Sequence, residues 1–97
     1  MRRNQKLTNV IGGRTVQGAT AEQGKLVIKF NNQSTMQVKT GRIANTLPPG
    51  GKVKVVQEDG PELRIQFEDD STVTFQLANP GSSVAVRDKN NQVEYLG

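Results

Sequence analysis

The sequence predicts an all-β fold: a small barrel or sandwich of six to eight short antiparallel strands that contains two repeated β-hairpins. Three observations predict it. Valine leads the apolar set, with 11 Val, 6 Leu, 4 Ile and 3 Phe among 97 residues, and β-branched side chains favour strands over helices. Apolar residues recur at every second position in "KLVIKF" (Leu26, Ile28, Phe30) and "ELRIQF" (Leu63, Ile65, Phe67), which is the period of a strand with one buried face. Each of those stretches then leads into a version of one phrase, "FNNQSTMQV" (30–38) and "FEDDSTVTF" (67–75), set 37 positions apart (67 − 30).

The elements follow in order along one domain, 1–97. Residues 1–6 read as a basic tail, and 7–11 and 14–17 as short early strands around the break "IGGR" (11–14). No helix is expected, since "ATAEQGK" (19–25) is short and Gly24 ends it. The first hairpin spans 25–40 and the second 62–77. Opposite residues in an antiparallel pair share a face, so burial pairs Phe30 with Met36 and Ile28 with Val38, with 31–35 as the loop. The same rule sets Phe67 against Val73, Ile65 against Phe75 and Leu63 against Leu77. Loops of four or five residues, or of three with a bulge, suit the Asn, Asp and Ser found there.

Punctuation supplies the remaining elements. "TLPPGG" (46–51) separates the copies and leads into the strand "KVKVV" (52–56), with Val53 and Val55 inward. "EDGPE" (58–62) and "NPGS" (79–82) are turns, the second opening the strand "SVAVRD" (83–88). "KNN" (89–91) then turns the chain into "QVEYL" (92–96).

Several chemistries are absent from the composition. With no Cys and no His, the chain has no disulfide, no thiolate or imidazole metal ligand and no histidine base. Glu58–Asp59 and Glu68–Asp70 bracket one strand, roughly 20 Å apart at about 3.3 Å per residue, too far to act as a carboxylate pair. Asp88 ends a later strand and is the acid placed to approach Asp69 and Asp70, but the spacing matches no calcium loop. These acids read as solvated turns. "GGK" (50–52) lacks the upstream Gly, the following Ser or Thr and the helix of a phosphate loop, and Ser34 and Ser71 read as turn residues. No catalytic residue, metal, cofactor or small-molecule substrate is expected. No apolar run approaches the roughly 18 residues of a membrane span. "MRRNQKLTNVIGG" lacks the apolar region of a signal peptide, so a cytoplasmic location is the default expectation.

Charge is the most informative feature for function. Residues 1–57 carry ten Lys or Arg against Glu22, or +9, whereas residues 58–97 carry three against eight acids, or −5; the sum is the net +4. By alternation Lys25, Lys29, Lys39, Lys52 and Lys54 point outward, and they are the candidate contacts for a partner or a polyanion. The expected function is a non-enzymatic module for protein–protein interaction, with a partner protein or by self-association, acting through this charged surface. The alternative is weak, sequence-tolerant nucleic-acid binding. It is disfavoured because the chain has no Trp, one Tyr and three inward Phe, leaving no stacking platform for bases.

Overall fold

The structure, a computed structural model, describes residues 2–22, 24–42, 50–79 and 81–97. Among them are nine strands and one helix: β1 (Arg2–Arg3), α1 (Gln5–Ile11), β2 (Val16–Glu22), β3 (Lys25–Phe30), β4 (Thr35–Arg42), β5 (Val53–Asp59), β6 (Glu62–Phe67), β7 (Thr72–Leu77), β8 (Val84–Arg87) and β9 (Val93–Leu96). The fold is all-β, as the valine content and the alternation predict, with one strand more than expected. The sheet runs β1-β5-β6-β7-β4-β3-β2, with β8 added to β4 and β9 to β8. It curls into a half-barrel around the buried faces of the strands. Bulges between Val16 and Gly18 and between Val53 and Val55 increase the curl.

The repeat is larger than two hairpins. In β2–β3, Val16 pairs with Phe30 and Ala19 with Ile28; in β5–β6, Val53 pairs with Phe67 and Val56 with Ile65, each residue again 37 positions on (53 − 16, 65 − 28). The third strands agree, Leu26 with Val38 and Leu63 with Phe75. Contacts between the halves are reciprocal. The Gly13 amide donates to the Val53 carbonyl and the Gly50 amide to the Val16 carbonyl, both at 2.8 Å. Val53 N donates to Arg14 O at 2.9 Å, and Val16 N to Gly51 O at 2.8 Å. Residues that are equivalents of one another meet directly, Thr15 with Lys52 and Thr40 with Leu77. Such exchange is the signature of a two-fold relation between like units. Two three-stranded units, β2–β3–β4 and β5–β6–β7, therefore close on each other as the halves of a dimer would.

The core repeats with them. Leu26, Ile28, Phe30, Met36 and Val38 are buried in one unit, as are Leu63, Ile65, Phe67, Val73 and Phe75 in the other. All three Phe face inward, as alternation predicts.

Both hairpin registers differ from the sequence expectation by two residues. Ile28, not Phe30, lies opposite Met36, and Leu26 opposite Val38; likewise Ile65 faces Val73 and Leu63 faces Phe75. The turns are three residues long, with Gln33 and Asp70 both at φ 69°, and Phe30 N donates to Ser34 O at 2.9 Å. Burial argued for an apolar residue opposite Phe30. Ser34 takes that place, fully buried, because its hydroxyl donates to Asn32 Oδ1 and accepts from Arg14 Nη1 at 3.0 Å. A shift of two preserves every side chain's face, so the predicted core survives the correction.

The first residues also differ from expectation. Residues 7–11 form a helix rather than a strand, because Asn4 caps it by accepting from Leu7 N at 3.0 Å. Leu7 and Ile11, four apart, bury on one face. The basic segment is no loose tail: Arg2 and Arg3 pair with Glu58 and Gln57, and Asn4 N donates to Val56 O at 2.8 Å. The early strand expected at 14–17 begins at Val16 and runs on to Glu22. The break predicted at 46–51 falls largely outside the described residues; only its Gly50 and Gly51 are described.

Gly13 and Gly50 stand at φ 83° and 88°, and a Cβ at either would meet nothing within 4 Å. Their replacement therefore costs backbone strain alone. Gly13→Ala and Gly50→Ala should each lose about 1 kcal/mol, by like amounts, once the stiffer unfolded chain is counted. Urea midpoints measure both, and a clear cost at only one of the two positions contradicts their equivalence.

Candidate interaction surface

β4 is the strand on which the surface is built. One edge pairs with β3 along its length, while the other pairs with β8 through Thr35–Val38 and with β7 through Thr40 and Arg42. β3, β4, β8 and β9 thus form a continuous outer face crossed by rows of directly opposed residues. One row is Lys29–Thr35–Arg87–Val93 and the next is Val27–Gln37–Ala85–Leu96. A third sets Lys25 opposite Lys39, whose amide donates to Ser83 O at 2.7 Å.

Three of the five predicted lysines share this face: Lys25, Lys29 and Lys39. Lys29 and Lys39 are exposed, and Lys25 holds Glu22 at 3.4 Å. The other two lie on the second unit. Lys52 sits beside Thr15 ahead of β5, and Lys54 approaches Asp70 at 4.0 Å. The face gains residues that the lysine pattern did not contain. Arg87 joins the cations, and Leu96 and Val93, 68% and 47% exposed, are the large exposed hydrophobic residues of the described chain. Val84 and Val86 of β8 are buried, which leaves Ala85 and Arg87 on the outer face. What the sequence withheld was the pairing of β8 with β4, some fifty positions away.

The equivalent face of the other unit has the same backbone and different charge. Glu62 stands where Lys25 does, Gln66 for Lys29 and Gln76 for Lys39. The opposed pair there is Glu62 and Gln76, joined at 3.5 Å, while its counterpart is the like-charged pair Lys25 and Lys39. Like charges directly opposite weaken a sheet.

A groove of about 340 Å³ opens on the basic face among Gln37, Lys39, Ser83, Ala85 and Leu96. A larger polar cleft, about 650 Å³, lies at the other end among Arg2, Arg3, Lys6, Glu58, Asp59 and Tyr95. Its three cations share the space with two carboxylates, and Glu58 already accepts from Asn4 at 3.0 Å.

Two of the predicted turn acids, Asp69 and Asp88, are engaged within their own turns. The Ser71 hydroxyl and then its amide, at 2.5 and 2.9 Å, hold the Asp69 carboxyl below the usual carboxylate range. Asp88 accepts from the amides of Asn90 and Gln92 within its own turn. No group of three acids, His or Cys converges among the described residues. No helix among them is long and apolar enough to cross a membrane. Comparison with protein-family models, curated proteins and solved structures finds no match.

Arg14 ties β9, and with it the apolar part of the face, to the barrel. Its guanidinium grips Glu94 at 2.8 and 2.9 Å, donates to Ser34 and lies 6.0 Å from the centre of the Phe30 ring. Arg14→Ala should cost roughly 1–3 kcal/mol, and Arg14→Lys should recover only part of it because the fork geometry is lost. Denaturation midpoints together with hydrogen exchange in β9 check this. A neutral Arg14→Ala, with β9 protection unchanged, contradicts it.

Proposed function

We propose that the chain is a non-enzymatic interaction module whose β3–β4–β8–β9 face binds an acidic surface of a partner protein. One observation carries the reading: the exposed Leu96 and Val93 lie in rows that also hold or border Lys25, Lys29, Lys39 and Arg87. Exposed apolar side chains along β9 beside cations on β3, β4 and β8 combine the two kinds of contact that protein interfaces use. Complementary charge would steer the encounter and set the partner's sign.

Nucleic acid is the weaker reading for this face. Phe30, Phe67 and Phe75 are buried, and Tyr95 is half-buried with its hydroxyl accepting from Asn4 at 2.9 Å. Bases would find cations without a stacking partner. Self-association through the same face brings four cations of each copy together, so a different protein is the better occupant. Lys52 and Lys54 contribute to the long-range field rather than to the contact.

Titration with poly-glutamate and with a single-stranded oligonucleotide of equal charge count tests the reading, at about 50 and about 300 mM salt. Poly-glutamate should bind at the lower salt, weaken steeply at the higher, and be lost on the combined change Lys29→Glu, Lys39→Glu. An oligonucleotide preference of about tenfold or more, equal to about 1.4 kcal/mol, would replace this reading with nucleic-acid binding. Failure of both polyanions to bind at the lower salt would refute the charged-surface account altogether.

A further inference from the structure

Resting on the protein-binding reading above, we infer that the groove between Lys39 and Leu96 seats one large apolar side chain of the partner, with a carboxylate of the same segment on Lys39. The groove exists because Ala85 stands between two longer residues in the row Gln37–Ala85–Leu96. Gln37 and Leu96 are two strand spacings apart, roughly 10 Å, which admits a Leu- or Phe-sized side chain over the alanine. Leu96, 68% exposed, is an apolar wall of the groove.

Charge specifies the neighbour of that side chain. Lys25 and Lys39 face each other across the strands, but only Lys25 has an acid, Glu22 at 3.4 Å. Lys39 is exposed, borders the groove, and forms no ion pair among the described residues. A carboxylate arriving there relieves the repulsion between the two lysines as well as making its own contact. The occupant is therefore an apolar residue with an acid close by in sequence. A second copy of this chain does not fit that description. Its described exposed large hydrophobics, Val93 and Leu96, lie on β9 in rows shared with Arg87 and Ala85, and the acid nearest them in sequence, Glu94, is already held by Arg14 at 2.8 and 2.9 Å.

The test uses isotopically labelled full-length protein and three blocked peptides: Gly-Leu-Ser-Glu-Gly, the same with Ala for Leu, and the same with Lys for Glu. The first should shift the amide resonances of Gln37, Lys39, Ala85 and Leu96, and bind about tenfold more tightly than the Ala peptide. The Lys peptide should not bind. Ala85→Phe, which fills the groove without changing charge, should erase the advantage of Leu over Ala while leaving poly-glutamate binding intact. Leu96→Ala, at an exposed position, should reduce that advantage without unfolding the protein.

Equal binding of the Leu and Ala peptides, shifts confined to other surfaces, or no shift at millimolar peptide overturns the groove assignment. If poly-glutamate still binds in that case, the protein-binding reading stands. If poly-glutamate binding is absent too, both fall.

Discussion

The fold depends on the closure between the two three-stranded units, where Gly13–Val16 meets Gly50–Val53 in four reciprocal backbone hydrogen bonds around the Thr15–Lys52 bridge. Each unit alone presents one apolar face with nothing beneath it. Joining them buries both faces in a single core and ties the start of each first strand, Val16 and Val53, to the other unit. The positive φ of Gly13 and Gly50 lets the chain enter each unit at the angle this closure requires. The contacts are those of a symmetric dimer carried in one chain.

Symmetry of the frame makes its departures informative. The N-terminal strand and helix attach to β5, where Thr8 exchanges hydrogen bonds with Val56, while the equivalent Ala19 on β2 stays exposed. The C-terminal β8 and β9 attach to β4. These two additions meet where Asn4 donates to Tyr95, and Arg14 of the frame grips Glu94. The exposed apolar residues belong to the second addition, and the groove lies where that addition meets β4. The frame supplies stability, and the proposed interaction surface was built by extending one of its sheets and making that side basic. Amides in one copy of the repeated phrase and acids in the other fit that division: Asn32 and Asp69 each accept from the serine two residues on, so the turn tolerates either.

Much of this was legible in the sequence, because alternation is a direct consequence of one-sided burial. The inward Phe and the two hairpins follow from it, and the charge split is a direct count along the chain. The register did not, since Ser34 is buried opposite Phe30 and its partner Arg14 lies twenty positions upstream. The helix was hidden by its seven-residue length and by the lack of an acid in its first turn. That β2 and β5 belong to the repeat was hidden because "VQGATAE" and "VKVVQED" share little beyond Val16 and Val53. Of the site, three lysines were legible from local alternation. Arg87 and Leu96 were not, because the pairing of β8 with β4 leaves no mark in local pattern.

Native-state hydrogen exchange at Gly13, Val16, Gly50 and Val53 tests the central claim most directly. If the two units close as the fold requires, these four amides open only with global unfolding, and each pair shows matching protection as high as that of Ile28 and Ile65. Fast exchange at these four amides, with Ile28 and Ile65 still protected, would mean that the units fold without closing on each other, and would contradict the account.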